Sequence, residues 1–366
     1  MIINHHLNAF IMKIHKNRLL IIGSGNIFKK HIDVIHKQNN DFEISGIVEK
    51  DVKKINQLKK KYKYPIFQDL KVAIKNCQFD LACVLTDSGS HAKIAIEILK
   101  SGKSVIIEKP IALSLVDAEK IVKLEQNSKG LNVFVVKQNR FNVAIVKLKE
   151  AIKKKRFGKI FLATIRVRWM RDRKYYESAR WRGKWRTDGG VLCNQAIHHI
   201  DLLQWLVGDV KKVFSMNSTV SAPIETEDTA VGVLKFKNGA SGIIEATTAC
   251  RPSNLEGSIS ILGTKGTVII DGFSANKITE WNFIKKNKSD KSIIKGLDNP
   301  KKVFAYAHSK FYEYVHNQTR KKNKNNFLNA KEATKSLKVV NALIKSNFTK
   351  KEVYLSKNLL KTKLGR

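Results

Sequence analysis

The sequence predicts a two-domain α/β protein: an N-terminal doubly wound parallel sheet, then an α+β domain with an open, mostly antiparallel sheet. Three observations carry that reading. A short apolar strand, Arg18 to Ile22, runs into a glycine turn and a helical pattern, and strand and helix then alternate to about residue 110, which requires parallel pairing through helical crossovers. Beyond residue 138 the pattern becomes short alternating runs separated by turn residues, the mark of antiparallel strands. Within that half lies one helix, Gly189 to Trp205, GGVLCNQAIHHIDLLQW, whose Leu192, Ala196, Ile200, Leu203 and Val207 recur at helical spacing.

Composition bounds the rest. A chain of 366 residues with 43% hydrophobic and 27% charged residues holds two ordinary globular cores. No apolar run approaches the roughly 18 residues of a membrane span. The first residues, MIINHHLNAFIMKIHKNR, make a poor secretory signal, because the basic residues follow a short apolar piece instead of preceding it. The expected location is the cytoplasm, with no membrane insertion. Met12 stands just before KIHKNRLLIIG, so residues 1–12 read as a loose extension, 13–137 as a cofactor domain and 138–366 as a second domain. Cys77, Cys83, Cys193 and Cys250 have no CxxC or zinc spacing, so reduced thiols and no metal site are expected. The net charge of +38 invites a nucleic-acid reading. Its lysines, however, are spread over helix faces such as Lys53 to Lys63 and Lys147 to Lys155 without interleaved aromatics, and the charge better suits an anionic small substrate.

Taken in order, Gly23-Ser24-Gly25-Asn26-Ile27-Phe28 follows the first strand, in the context of a dinucleotide fingerprint. Gly23 permits the tight turn. Gly25 lets the backbone approach a pyrophosphate at the start of the next helix, which Asn26 and Ile27 open. Phe28 stands where a third small residue is usual, which leaves the closeness of helix to strand open. The helix runs to about Lys37, and a second strand, Glu43 to Glu49, ends in an acid 26 residues after Gly23. Glu49 suits an adenosine ribose and favours NAD, although Lys50 and Lys53 weaken that preference and a solvated acid would look the same. A helix from Val52 to Tyr62, the segment Pro65-Ile66-Phe67, a helix from Asp69 to Cys77 and a strand from Leu81 to Leu85 follow. Thr86-Asp87-Ser88-Gly89-Ser90-His91 opens a helix to Lys100, and a strand from Ser104 to Ile107 ends in Glu108-Lys109-Pro110. Ligands on such sheets bind beyond the carboxyl ends of the strands, where Gly23, Glu49, Thr86 and Lys109 fall. Ser88, His91, Glu108 and Gln138 complete the expected cofactor set. Pro110 pushes Lys109 out of helical geometry and permits a cis bond. Its ammonium can then hydrogen-bond a substrate hydroxyl and stabilise the forming alkoxide.

The second domain opens with an amphipathic helix, Phe141 to Arg156. Strands are expected at Lys159 to Trp169, Val210 to Val220, Thr229 to Phe236, Ala240 to Ala249, Ser258 to Leu262 and Gly266 to Ile270, with turns at Asn238-Gly239 and Thr264-Lys265-Gly266. The helix starting at Gly190 covers one face of this sheet. Asn276 to Lys302, polar and lysine-rich, reads as a mobile excursion. Two closing helices, Ala307 to Arg320 and Ala330 to Ser346, flank a KKNKNN loop. At about 100° per residue, Asn194, His198, Asp201 and Trp205 form a stripe opposite the apolar one. It reads either as a solvated polar face or as a site whose histidine, His198, exchanges a proton near neutral pH. The neighbouring His199 is turned towards packing. Between the domains, Asn139 is a further candidate substrate contact, Arg140, Arg173 and Arg182 suit a diphosphate or a uronate carboxylate, and Tyr175, Tyr176, Trp181 or Trp185 a stacked base or sugar. An ordinary domain junction would carry the same residues.

GSGNI after the first strand, EKP after a later one, and the Asn194-x-x-x-His198-x-x-Asp201 helix together resemble the Gfo/Idh/MocA oxidoreductases, over about Lys13 to Asn347. The resemblance implies a Rossmann domain for NAD, with Lys109 and His198 flanking the nicotinamide and the reacting carbinol and Asn194 as the third catalytic residue. Asn194 replaces the aspartate of many members, which leaves His198 with less electrostatic support. The stretches LTDSGSHAKIAIEILKSGKSVIIEKPIALS, VVKQNRFN, RWRGKWRTDGGVLCNQAIHHIDLLQWL and NLEGSISILGTKGTV are most similar to the sugar-nucleotide branch, resembling UDP-N-acetylglucosaminuronate and UDP-N-acetylglucosamine 3-dehydrogenases. That implies NAD-dependent oxidation of a secondary ring hydroxyl, at C3, of a UDP-linked N-acetylamino sugar or its uronate, in cell-surface polysaccharide biosynthesis. It also implies a homo-oligomer, dimer or tetramer, through the free face of the second sheet. Two rivals stay open: a dehydrogenase of a free polyol or sugar of the inositol or hexose type, and an NAD-sensing protein that binds nucleic acid through its basic surface.

Overall fold

The computed structural model describes residues 16–296, 303–320, 326–356, 359 and 362–366. The expected extension at 1–12 and most of the KKNKNN loop lie outside the described residues. The first domain runs β1 (Asn17–Ile22), α1 (Phe28–Lys37), β2 (Phe42–Val48), α2 (Val52–Lys61), β3 (Ile66–Phe67), α3 (Leu70–Asn76), β4 (Leu81–Val84), α4 (His91–Lys100), β5 (Ser104–Ile107), α5 (Leu115–Asn127) and β6 (Val133–Val135). All pairs in this six-stranded sheet are parallel, in the order β3-β2-β1-β4-β5-β6. Strands buried on both faces explain why LLII, LACV and VII are unbroken apolar runs. Helices begin where a cap is available: the Asp51 carboxylate accepts from the Lys53 and Lys54 amides, and Asp69 does the same for α3. The strand order reverses between β1 and β4, which opens the ligand crevice there. Phe28 does not hold α1 off the sheet, since its ring is buried with Leu19 and Ile21 and meets Tyr62 edge to face.

The second domain continues with a single 3-10 turn (Gln138–Phe141), α6 (Val143–Lys153), β7 (Ile160–Arg168), α7 (Arg173–Glu177), a π turn (Val191–Gln195), α8 (Ile197–Val207), β8 (Val210–Ser218), β9 (Thr229–Phe236), β10 (Ser241–Thr247), β11 (Glu256–Gly263), β12 (Gly266–Asp271), β13 (Lys277–Phe283), α9 (Asp290–Lys295), α10 (Val303–Arg320), α11 (Ala330–Thr349) and β14 (Val353–Tyr354). Eight strands form one sheet, β13-β12-β11-β7-β10-β9-β8-β14, with β7 and β10 parallel and the other pairs antiparallel. The inner face packs on α8 and α11. The outer face exposes Phe161, Val231, Val233 and Ile243.

Two expectations are corrected. The helix expected from Phe141 is interrupted at Asn142, whose extended ψ of 132° breaks it and whose amide donates to the Ser274 carbonyl at 2.8 Å. The excursion expected from Asn276 is largely an ordered strand and a short helix. Trp281 and Phe283 are buried, and Asp290 accepts from the Trp281 indole and from Arg156, each at 2.8 Å. The apolar alternation of Ile278, Trp281 and Phe283 was the available signal, hidden by a register shift at Ile269/Ile270. Helix α10 returns to the first domain, where the Tyr312 hydroxyl lies 2.7 Å from His31 Nδ1 and His316 pairs with Asn17 at 3.0 Å.

Candidate active site

The site is built at the start of the GGVLCNQ segment. Gly190 has φ +73° and ψ −168°, a conformation open essentially to glycine alone, and a Cβ there would overlap the Glu227 carboxyl group. Glu227 caps the turn that follows: its carbonyl accepts from the Val191 amide at 2.9 Å and its Oε1 from the Leu192 amide at 3.1 Å. The Ala196 amide then reaches back to the Val191 carbonyl at 2.8 Å, an i to i−5 bond. Gly190→Ala is therefore expected to cost about 2–3 kcal/mol, from backbone strain and overpacking, as measured by denaturant unfolding.

Burial pushes the Glu227 carboxyl up to about 8, with nearby Asp188 and Asp228 adding and the Leu192 amide opposing. A folded-state value above the ordinary 4.5 means that this group's contribution to stability is complete below pH 4.5 and is lost as pH rises through 8. Glu227→Gln keeps the cap without the charge. Its melting temperature relative to the native chain is expected to rise steadily between pH 5 and 8; a constant difference would disprove the assignment.

The π turn inserts one extra residue ahead of α8, with Asn194 inside it; within α8, His198 and Trp205 are half-buried and Asp201 is buried. Lys109, at the carboxyl end of β5 and followed by a cis bond to Pro110, donates from Nζ to the Asn194 carbonyl at 2.7 Å and lies 3.4 Å from its Oδ1. The Asn194 amide nitrogen donates to the buried Asp188 carboxylate, which also accepts from the Gly183 amide at 2.6 Å. Asp188 thereby decides which end of the Asn194 amide faces Lys109. Gln195 donates to Asn194 Oδ1 at 3.2 Å and to the Tyr175 hydroxyl at 2.9 Å, and accepts from Arg171 at 3.1 Å. Arg182 lies 4.0 Å over the Tyr175 ring, 4.6 Å over Trp181, and donates to the Tyr175 hydroxyl.

Burial lowers the Lys109 pKa, against the pull of Glu108 and Asp188. Burial and then the Lys109 charge hold His198 well below its ordinary 6.5. His198 is thus unprotonated at neutral pH, the form that accepts a proton. His198 and Lys109 line one small cavity together with Lys137 and Asp201.

On the cofactor side, a Cβ on Gly23, which has φ +92°, would stand 2.8 Å from the Thr86 side chain, so glycine is required there. Gly25 and Asn26 are exposed, Ile27 half-buried, and the turn leads straight into α1. Glu49 accepts from the Ser24 amide at 3.0 Å, the Ser24 hydroxyl, and the Lys50 and Asp51 amides. Burial alone would raise its pKa, but these donors lower it, so it stays ionised where a ribose diol would be gripped. The bare glycine turn and the fixed carboxylate fit a dinucleotide, with Thr86 and Ser88 on the neighbouring loop. That loop meets the second domain directly: a Cβ on Gly89 would lie 3.0 Å from the Arg186 carbonyl.

Several expected ligand contacts are taken up inside the protein. Asp201 accepts from Arg140 Nε at 2.7 Å and Nη2 at 2.8 Å, and from Lys137, forming a buried cluster. Arg140 also donates to the Phe327 carbonyl and lies 5.0 Å over Trp205, so it is not available to a substrate phosphate. Arg173 is exposed and pairs with Glu177 at 2.6 Å. His91 places its ring nitrogens 2.8 and 3.2 Å from the Pro110 and Thr86 carbonyl oxygens, and so braces the Lys109 loop instead of facing a ligand. Glu108 turns inward to His31 at 3.0 Å while accepting from the Lys109 amide at 3.0 Å. Gln138 and Asn139 are buried at the domain junction. His199 is fully buried, edge to face with Trp169 at 5.9 Å. Asp188, Gln195, Arg171, Lys137 and Glu227 were missed by sequence reasoning. Asp188 stood next to the double glycine, Gln195 next to Asn194 and Lys137 next to Gln138.

Comparison with known proteins agrees with this architecture. Residues 17–136 match the oxidoreductase-family NAD-binding Rossmann fold (GFO_IDH_MocA), and residues 149–355 the C-terminal alpha/beta domain of the same family. The WlbA dehydrogenase of Bordetella pertussis, solved with NADH and UDP-GlcNAcA, is similar at 36% identity and a TM-score of 0.89, over 93% of this chain and 97% of that one. Its counterpart from Chromobacterium violaceum, solved with the same two ligands, is 32% identical with a TM-score of 0.87, over 93% of this chain and 96% of that one. Among curated proteins, the myo-inositol 2-dehydrogenase of Thermotoga maritima is 26% identical over 265 residues, 69% of this chain and 75% of its own. The chain therefore belongs to the Gfo/Idh/MocA oxidoreductase family and is an NAD-dependent dehydrogenase.

Proposed function

We propose that the enzyme oxidises a secondary ring hydroxyl, at C3, of a UDP-linked N-acetylamino sugar, with its uronate as the preferred form. The observation that carries this reading is the likeness, along 93% of the chain, to two enzymes solved with UDP-GlcNAcA and NADH. The basic, aromatic wall of Arg171, Tyr175, Trp181 and Arg182 beside Asn194 supports it, because an anionic nucleotide sugar needs both stacking and positive charge. His198 takes the hydroxyl proton, and Lys109 donates to that oxygen and stabilises the charge it gains. Asn194, oriented by Asp188, holds Lys109 and the substrate in register. Bound NAD supplies the hydride acceptor. A reduced-nicotinamide absorbance assay with UDP-amino sugars, their uronates and free polyols tests the reading, with turnover expected on the UDP-uronate. Turnover on polyols alone would favour the second reading, a free-polyol dehydrogenase, which the likeness to the inositol enzyme supports.

The exposed apolar outer face of the second sheet is the proposed contact between copies of the chain, in a dimer or tetramer in cell-surface sugar biosynthesis. Val231 and Val233 are each about half exposed there, with Phe161 and Ile243 on neighbouring strands. No described helix is long and apolar enough to cross a membrane, and the proposed location is the cytoplasm. No main role in nucleic-acid binding is proposed.

A further inference from the structure

Residues 31, 108 and 308 lie on α1, just beyond β5 and on α10, with no sequence spacing to join them, yet they meet in the interior. His31, Glu108 and His308 are all buried, and each offers one ligand atom such that the three atoms lie within 4.8 Å of one another. His31 Nε2 and Glu108 Oε1 are 3.0 Å apart, and the two imidazoles meet edge to face with centroids 5.6 Å apart. Donors held at about 2.0–2.2 Å from a tetrahedral zinc ion are separated by roughly 3.3 Å. The His31–Glu108 pair, at 3.0 Å, stands close to that separation, and His308 needs to close by at most about 1.5 Å. His31 is also oriented from behind: its Nδ1 lies 2.7 Å from the Tyr312 hydroxyl, which leaves Nε2 to face the cluster. That arrangement is the outer support typical of a metal-bound histidine.

We propose that His31, Glu108 and His308 supply three protein ligands to a site for a divalent transition metal of the zinc class. Two imidazole nitrogens and one carboxylate oxygen suit zinc, cobalt or nickel; calcium and magnesium prefer all-oxygen sets. The ion replaces the proton shared between His31 and Glu108 and ties the returning helix α10 to the parallel sheet. It sits one residue from Lys109, whose amide donates to Glu108. The site stands independently of the substrate reading.

The test uses chelator-treated full-length protein titrated with zinc sulfate and, separately, cobalt chloride, with metal content and thermal midpoint as readouts. One equivalent beyond that bound by His308→Gln, together with a rise of several degrees in the midpoint that the variant lacks, is expected. Taking the difference from the variant matters because His5-His6 in the sequence is a second chelating pair. Equal zinc binding by the native chain and His308→Gln, or no midpoint shift in the native chain, would overturn the proposal. Anomalous diffraction from cobalt-soaked crystals of the native chain gives a reading without any variant: a peak between the three side chains supports the site, and its absence refutes it.

Discussion

Replacing His198 by asparagine is expected to lower kcat by about 10²–10⁴, and Lys109 by methionine by about 10²–10³, with melting temperatures close to that of the native chain. In the proposed mechanism the two act on the same oxygen: His198, half-buried and unprotonated at neutral pH, would accept the hydroxyl proton, and Lys109 Nζ would stabilise the charge that forms. Methionine preserves most of the lysine stem and loses only the donor to Asn194. Because the residues work as a unit, the double variant should be little worse than the worse single one. NADH binding, followed by fluorescence, should persist in all three. Turnover of either single variant at the native rate would eliminate the proposed mechanism.

Asp201→Ala is expected to destabilise the fold by about 3–5 kcal/mol, because Lys137 and Arg140 remain buried with their partner gone. The corresponding fall in the thermal midpoint is on the order of 10 °C. Burial would raise the Asp201 carboxyl, but the Arg140 and Lys137 charges hold it down at about 2. A depressed carboxylate contributes stability above its ordinary 3.8 and loses it as pH falls through about 2. Burial brings Lys137 down to about 8 even with Asp201 present. In the variant its proton is held less tightly still. The destabilisation measured by urea titration should therefore shrink between pH 7 and 9.5, and a penalty unchanged over that range would place the damage elsewhere. An effect below 1 kcal/mol at pH 7 would mean that water reaches the cluster and screens it.

The sequence by itself determined the parallel sheet, the glycine turn, and the placement of Glu49 and Lys109 at strand ends. These are local matters: strand and helix periods, and the geometry of Gly23 and Pro110, follow from a few neighbouring residues. Tertiary structure alone decided which polar side chains meet. Asp201 lies one turn from His198 on α8, and it is Lys137 and Arg140 that take it up in a buried cluster. Arg140 looked like a phosphate ligand only because its partner lies 61 residues away. Asp188 reaches Asn194 through the Gly189-Gly190 bend, and His308 reaches His31 and Glu108 only because α10 folds back on α1. Spacing encodes the direction of a side chain within its own element. The identity of what it faces is set by long-range packing, which brings opposite charges together wherever burial would otherwise leave them unpaired.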